Sequence, residues 1–479
     1  MDERTWSVMT TIQQFMDEAL EAVRAQGQGE AGPKLTTTLQ SHLGRPPAEL
    51  PVVRLDIPPH QFVNLDIAMA ALVEQHGGGE VIGVGGGDQR HHQTMGDLLA
   101  ERGQWSTPVG AVDRTRLETG PDTSREAVGM GIHLFRYDGV PVAAYQRRIQ
   151  PQFGGTTSLE VVAAEPVSEA LLADVRALMV ERSVYRGKVL SFGLTDAMYG
   201  PSAGGIAFLP RPDVAAADVV LPDGALARLE RHVAGTARHR ERLRAAGQHL
   251  KRGLLLYGPP GTGKTHTVRY LLSRLPEVTS VVLAGNALGL VAEATQLAQA
   301  LQPAIVVMED VDLIAEHREM HMGPQPLLFT LLDAMDGLSS DADVAFVLTT
   351  NRADLLESAL SQRPGRVDLA AEVPLPDHAS RRRLLDLYAR GLPVTPDALD
   401  AAAARSEGVT ASFFKELTRR AVLLAADADR DVDDAQLAAA LDEMLADGER
   451  LTRVLLGSAP TSPGLEPPGS HGGWSMFNG

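Results

Sequence analysis

The stretch Gly258-Pro259-Pro260-Gly261-Thr262-Gly263-Lys264-Thr265 constrains this chain more than any other. An apolar run, Gly253-Leu254-Leu255-Leu256-Tyr257, precedes it, and a helix-forming pattern over 266–275 follows. Strand, glycine-rich loop and helix in that order are the context of a phosphate-binding loop. Glycines let successive backbone N–H groups turn inward into a nest for phosphate oxygens. The helix opening beside Lys264 adds the positive end of its dipole. The Lys264 ammonium reaches β- and γ-phosphates, and the Thr265 hydroxyl is offered to Mg²⁺. Lysine occurs elsewhere only at Lys34, Lys188, Lys251 and Lys415, in a chain that otherwise uses arginine. The expected nucleotide contacts are these eight residues and His266.

At 479 residues the chain exceeds one ordinary core, so two or three domains are expected. Hydrophobic residues make up 44% and charged residues 22%, a soluble globular composition. No apolar run approaches the ~18 residues that span a bilayer. The polar start Met1-Asp2-Glu3-Arg4 shows no secretory pattern. The absence of cysteine excludes disulfides and thiolate metal sites and fits a cytoplasmic protein. A net charge of −17 disfavours a general nucleic-acid binder.

Residues 1–110 read as mainly helical. Ile12, Phe15, Met16, Ala19, Leu20 and Val23 recur at helix spacing, and a second helix is expected over 63–75. The glycines at 77–79 and 85–87 lack a trailing Lys-Ser/Thr and read as loops, and His91-His92 as solvated histidines. Residues 111–215 read as a small α/β accessory domain with a linker over 194–215. Its elements are a hairpin at Asp138-Gly139, a strand over 158–163, a helix over 168–182 and a strand over 188–192. An arginine-rich helix over 223–244 leads into the glycine-rich loop.

Beyond the loop, a strand is expected over 279–283, and the run Ala304-Ile305-Val306-Val307-Met308 ends in Glu309-Asp310. An apolar run ending in two carboxylates reads as a buried parallel strand that delivers them to the ligand-binding edge of an open α/β sheet. One carboxylate serves Mg²⁺, usually through water, and the other activates the attacking water. A further strand ends in Thr349-Thr350-Asn351, where Asn351 is placed to sense a γ-phosphate.

Together GPPGTGKT (258–265), IVVMEDVD (305–312), LLDAMDG (331–337), TTN (349–351), ALSQRPGRVD (359–368) and PLPD (374–377) resemble an AAA+ ATPase module of the AAA clade, over 221–446. The resemblance implies a P-loop α/β fold, a parallel sheet between helices with a small helical lid, preceded by the α/β N-terminal region. It divides the rest into a large ATPase subdomain (216–376), a lid (377–450) and a flexible tail (451–479). It implies ATP and Mg²⁺, with Lys264 and Thr265 on phosphate and Mg²⁺, Glu309 and Asp310 as Walker B, and Asn351 as sensor 1. Arg363 and Arg366 fall where the family keeps arginine fingers that act on a neighbour's γ-phosphate. It further implies a self-assembled ring, usually a hexamer, that works on protein clients.

Three features depart from the family. The Walker B order is Glu309-Asp310, as in a subgroup resembling the mitochondrial inner-membrane AAA chaperone. By register Glu309 then serves Mg²⁺ and Asp310 the water. The threading-loop segment Ala284-Gly285-Asn286-Ala287-Leu288-Gly289-Leu290-Val291 has no aromatic residue, and the chain's end lacks a proteasome-docking signal. His317 and His321 are four apart, but no H-E-x-x-H occurs, so a fused zinc protease is not expected. The expected function is an ATP-hydrolysing ring that remodels, unfolds or chaperones proteins through its N-terminal half. The alternatives are a nucleic-acid-associated motor and an ATP-switched scaffold with slow turnover.

Overall fold

A computed structural model describes residues 33–100, 107–148, 157–193, 205–312, 333–339, 341–352 and 367–446. The chain forms two compact units, one from residues up to 186 with 193–209, the other from 187–192 and 210 onward.

The first unit contains α1 (Leu35–Leu43), β1 (Val52–Asp56), α2 (Phe62–Gln75), β2 (Gly79–Val84), α3 (Met95–Leu99), β3 (Val109–Gly110), β4 (Asp113–Glu118), β5 (Ser124–Tyr137), β6 (Val140–Arg147), β7 (Ser158–Val162) and α4 (Glu165–Glu181). Its strands pair antiparallel in the order β1-β7-β6-β5-β2-β3, with β4 also on β5. The β5–β6 hairpin turns on Asp138 and Gly139, whose φ values of 49° and 80° suit an aspartate-glycine pair. Side chains alternate between two cores. Phe135, Val142 and Ala144 face α2 and α4, whereas Ile132, Leu134, Ala143 and Tyr145 pack with Leu35, Leu39 and Met95 of α1 and α3. Covering both faces makes β5 and β6 near-continuously buried and hides the polar alternation that marks a one-sided sheet.

The expected division at residue 110 falls inside this sheet. Gly79–Ile82 of β2 lie in register against Ile132–Phe135 of β5, and β1 pairs with β7, so sequence on both sides of 110 builds one α/β unit. The helical pattern at 12–23 lies outside the described residues.

The second unit holds a parallel sheet. Its strands are β8 (Val189–Gly193), β10 (Arg252–Tyr257), β11 (Thr279–Leu283), β12 (Ala304–Met308), β13 (Val344–Thr350) and β14 (Leu369–Glu372), in the order β14-β10-β13-β12-β11-β8; β9 (Gly205–Leu209) belongs to the first unit. The strand expected to finish the accessory domain is therefore a sheet strand of the second unit. Val189 and Leu190 run parallel to Ser280 and Val281, the Ser280 N–H donates to the Lys188 carbonyl at 2.8 Å, and the Gly187 N–H donates to the Thr279 hydroxyl at 3.0 Å.

The expected helix over 223–244 runs as α5 (Ala225–Glu230), a π-turn over Arg231–Gly235 and one more helical turn over Thr236–Arg238, then breaks at His239 (φ −108°, ψ 20°) before α6 (Arg240–Ala245). The Thr236 hydroxyl donates back to the His232 carbonyl at 2.8 Å, a bond that bends helices. After the glycine-rich loop come α7 (Lys264–Ser273) and α8 (Val291–Ala300). A helical subdomain of α9 (His378–Tyr388), α10 (Pro396–Arg405), α11 (Ala411–Asp427) and α12 (Asp434–Leu445) follows, cored by Leu385, Phe413, Phe414, Leu417, Leu441 and Met444. Burying each such side chain is worth about 1.5–3 kcal/mol. Among the described residues no helix is long and apolar enough to cross a membrane. The tail at 451–479 lies outside them.

Candidate active site

β10, β13 and β12 are neighbours, with Tyr257 beside Thr350 and Met308 beside Leu348. Their C-terminal ends therefore bring the glycine-rich loop, Asn351 and the Glu309-Asp310 pair to one sheet edge. Gly258, Gly261 and Gly263 take φ values of 145°, 75° and 108°. At Gly258 a β-carbon would also sit 2.2 Å from the Val373 carbonyl oxygen, so only glycine fits. Gly263 caps α7 without any side-chain bond, leaving the first-turn N–H groups free of an intrahelical acceptor.

Lys264 is 5% exposed, and its ammonium donates to the carbonyls of Gly258 and Pro259, both at 2.8 Å. Burial lowers its pKa, while the carboxylates of Asp310 and Asp312 oppose the shift. The Thr262 hydroxyl donates to the Pro259 carbonyl at 2.9 Å. Pro260 lies in the same loop. The His266 Nε2 meets the Asp218 carbonyl at 3.1 Å.

Burial raises the pKa of Glu309 and neighbouring Asp310 adds to the rise; Arg269 and a hydrogen bond with Thr265 counter it. The hydroxyl and the carboxylate expected to serve Mg²⁺ thus lie near one another. Asp310 sits at φ 51°, a left-handed conformation that aspartate tolerates better than glutamate. Its N–H donates to the Thr349 hydroxyl at 2.9 Å. The Asn351 side-chain amide donates to Asp310 Oδ1 at 3.4 Å and to Asp312 Oδ2 at 3.3 Å.

The sequence placed Asp312, Thr349, Thr350 and Ser412 within recognisable segments but gave none of them a role. Asp312 is 6% exposed and accepts from the Thr350 hydroxyl at 2.9 Å and the Asn351 N–H at 3.0 Å. A third carboxylate two residues beyond the Walker B pair was the available signal. From the lid, Ser412 donates both its N–H (3.0 Å) and its hydroxyl (3.2 Å) to the Gly261 carbonyl. A cavity of about 60 Å³ lies beside the loop, lined by Val220, Leu221, Thr262, Leu375, Leu384 and Ala411 among others.

Arg363, Arg366 and the His317/His321 pair lie outside the described residues. His91 stands 4.0 Å from Asp113, which also pairs with Arg90 at 2.7 Å. No group of three potential metal ligands occurs among the described residues. The segment expected to thread clients contains a 3₁₀ helix (Gly285–Leu290), with Ala287, Leu288 and Leu290 buried.

Residues 254–375 match the family described as "ATPase family associated with various cellular activities (AAA)". The chain is 31% identical over 270 residues to a proteasome-activating nucleotidase of Thermococcus onnurineus, covering 54% of this chain and 67% of that one. The chain belongs to the AAA+ ATPase family. It is also 35% identical over 232 residues to ATP-dependent zinc metalloprotease FtsH 3 of Sphaerobacter thermophilus, covering 45% of this chain and 46% of that one. To FtsH 1 of Conexibacter woesei it is 32% identical over 234 residues, covering 45% and 35%. The chain thus spans a third to a half of the length of these metalloproteases. Its AAA+ module is an ATPase module, and the family uses ATP with Mg²⁺. The site fits both: open N–H donors at the start of α7, a buried ammonium bonded to loop carbonyls, and a threonine hydroxyl against a carboxylate.

Proposed function

We propose that the chain is an AAA+ ATPase that assembles into a ring, usually hexameric in its family, and remodels, unfolds or chaperones protein clients in the cytoplasm. The observation that carries this reading is the convergence of Lys264, the Thr265–Glu309 pair, Asp310 and Asn351 at one parallel-sheet edge, with Asp312 behind Asn351. Relatives named as a proteasome-activating nucleotidase and as metalloproteases support a protein client.

In this reading the first-turn N–H groups of α7 and Lys264 hold the β- and γ-phosphates. Thr265 and Glu309 would hold Mg²⁺, which when bound would neutralise charge on the phosphates. Asp310 takes the proton of the attacking water, and Asn351 orients that water. Arg363 and Arg366 act on the nucleotide of a neighbouring copy. The first unit recruits or contacts the client.

The experiment uses Asp310→Asn, which suits the left-handed backbone at that position, as a trap in the native host. A few proteins enriched in ATP, and lost in Lys264→Ala, are the expected result. Enrichment of nucleic acid would overturn the reading in favour of a nucleic-acid motor. One observation favours an ATP-switched scaffold instead: Asp310 is a methylene shorter than glutamate, and Asn351 donates to its carboxylate. Wild-type hydrolysis too slow for multiple turnovers would select that alternative.

A further inference from the structure

A cleft of about 600 Å³ opens at the edge of the second unit's sheet opposite the phosphate-binding loop. Its lining residues Leu275, Pro276, Glu277 and Val278 lead into the start of β11, and Pro303 leads into β12, so it lies at the N-terminal ends of the strands. Arg238, Arg240 and Arg242 come from the broken arginine-rich helix and Arg274 from the end of α7. Against these four guanidinium groups the lining sets only Glu241 and Glu277. Glu230, behind the wall, is shared by Arg238 at 3.7 Å and Arg274 at 3.5 Å. Arg240 and Arg242 make no ion pair among the described residues. A chain of net charge −17 thus carries a local basic cleft.

The complement lies on the lid. Residues 427–434 read Asp-Ala-Asp-Arg-Asp-Val-Asp-Asp, five aspartates in eight positions. Two are used within the lid. Asp433 caps α12 by accepting from the Ala435 N–H at 2.7 Å, and Asp434 accepts from the Thr395 N–H and hydroxyl at 2.7 and 2.6 Å. Asp427, Asp429 and Asp431 are exposed and make no ion pair among the described residues. Asp427 ends α11, whose last turn has no basic residue. A carboxylate there opposes the helix dipole. Asp429 takes the left-handed position that ends α11, at φ 50°, and Arg430 follows it, so Asp427 and Asp431 are the two carboxylates of the turn without a local role.

We propose that the acidic turn of one copy, through Asp427, Asp429 and Asp431, docks into the Arg238/Arg240/Arg242/Arg274 cleft of a second copy. Because turn and cleft are different patches, the contact is head-to-tail and closes a ring if the rotation per copy allows. Copies this acidic repel one another, so a buried point of opposite charge sets which faces meet. The inference rests on the ring reading above and names one of the surfaces that reading requires.

The test measures the mass of the full-length chain in ATP and Mg²⁺ by native mass spectrometry and light scattering, at low and high salt. Arg240→Glu/Arg242→Glu should raise the concentration for half-assembly by ~10-fold or more. Asp427→Arg/Asp431→Arg should do the same, and a mixture of the two variants should assemble again. Circular dichroism matching wild type shows that the variants fold. If wild type assembles and neither reversal changes its mass, the inference is wrong and the ring reading stands. If wild type stays a single chain at every concentration, both fall. Unchanged assembly, with loss of a labelled single-stranded oligonucleotide in the arginine variant alone, would overturn the inference and assign the cleft to nucleic acid.

Discussion

The Asp312 carboxylate holds Asn351 by two bonds, accepting its N–H at 3.0 Å and its side-chain amide at 3.3 Å. It also takes the Thr350 hydroxyl at 2.9 Å. A residue two positions past the Walker B pair thus fixes the asparagine that faces Asp310. Asp312→Ala leaves buried donors unmet, costing about 1–3 kcal/mol of stability. It should also lower kcat on the order of 10²-fold through misplacement of Asn351. The Kd for ATP should stay near wild type, since the phosphate contacts come from the glycine-rich loop. An unchanged kcat would mean that Asn351 needs no such support.

Lys264→Met tests the loop as a phosphate cradle. The ammonium is buried and bonded only to loop carbonyls, so its removal takes a desolvated charge out of the nucleotide-free protein. Thermal stability without nucleotide should hold or rise. ATP at 100 times Kd stabilises a protein by about 2.7 kcal/mol, and that gain should vanish in the variant. A retained ATP-dependent rise in Tm would remove Lys264 from the phosphate site.

The ATPase half was legible because its elements are short, strongly patterned and punctuated by residues with one use each. Val306 and Val307 signal burial on both faces, Glu309 and Asp310 signal an edge, and the glycines at 258, 261 and 263 mark the left-handed turns that the backbone adopts. The N-terminal half was less so. Its helices and the Asp138-Gly139 hairpin were visible, but β2 carries Gly79 and Gly83 and resembles a loop until β5 pairs with it. Pairings as remote as β1 with β7 leave no periodic trace. The strand at 189–193 was seen, but its partner β11 lies about 90 residues on, and its position after α4 suggested the wrong unit. Asp312 escaped for a related reason: its role is set by β13, which returns beside it only in the fold.

Arg366→Ala should abolish hydrolysis while leaving ATP binding nearly intact, because a finger acts on the neighbour's nucleotide. Mixing it with Lys264→Ala should recover part of the activity, since a Lys264→Ala copy can donate its finger to an intact loop. Steady-state phosphate release from well-mixed assemblies decides this, and no recovery counts against a finger at Arg366.

Glu309 gives a pH signature with two parts. Burial and Asp310 raise its pKa above the ordinary carboxylate value of 4.5. A raised carboxyl contributes stability that is present below that ordinary value and is withdrawn as pH rises through the folded pKa. At neutral pH the ionised group is therefore a burden in the nucleotide-free fold, and Glu309→Gln should raise its Tm. Mg²⁺ needs the ionised form, so Mg²⁺-dependent hydrolysis should fail on acidification sooner than an unperturbed carboxylate would dictate. If Glu309→Gln keeps normal Mg²⁺ dependence, the metal is held elsewhere.

The first unit carries an opposite pH signature at His133. The ring is 5% exposed, and its Nε2 lies 3.2 Å from Gln146 Oε1. Gln146 in turn donates to the Val128 carbonyl at 2.7 Å and to Asp66 at 3.3 Å, and Arg125 pairs with Asp66 at 2.8 Å. Burial lowers the His133 pKa below 6.5, outweighing the Gln146 bond and the Asp66 charge that favour the cation. A lowered basic group binds its proton first in the unfolded chain, so stability rises with pH between the folded pKa and 6.5 and is lost on acidification through that window. The slope from one such group is at most about 1.4 kcal/mol per pH unit. Hydrogen exchange of β5 and β6 amides in the full-length protein, followed from pH 7.5 to 5.5 and corrected for intrinsic rates, should show their opening free energy falling. His133→Gln keeps a donor toward Gln146 but cannot titrate, so its slope should be shallower. It should not be flat, because burial also lowers the His60 pKa. Equal slopes in wild type and His133→Gln would place the acid sensitivity of this sheet on some other group.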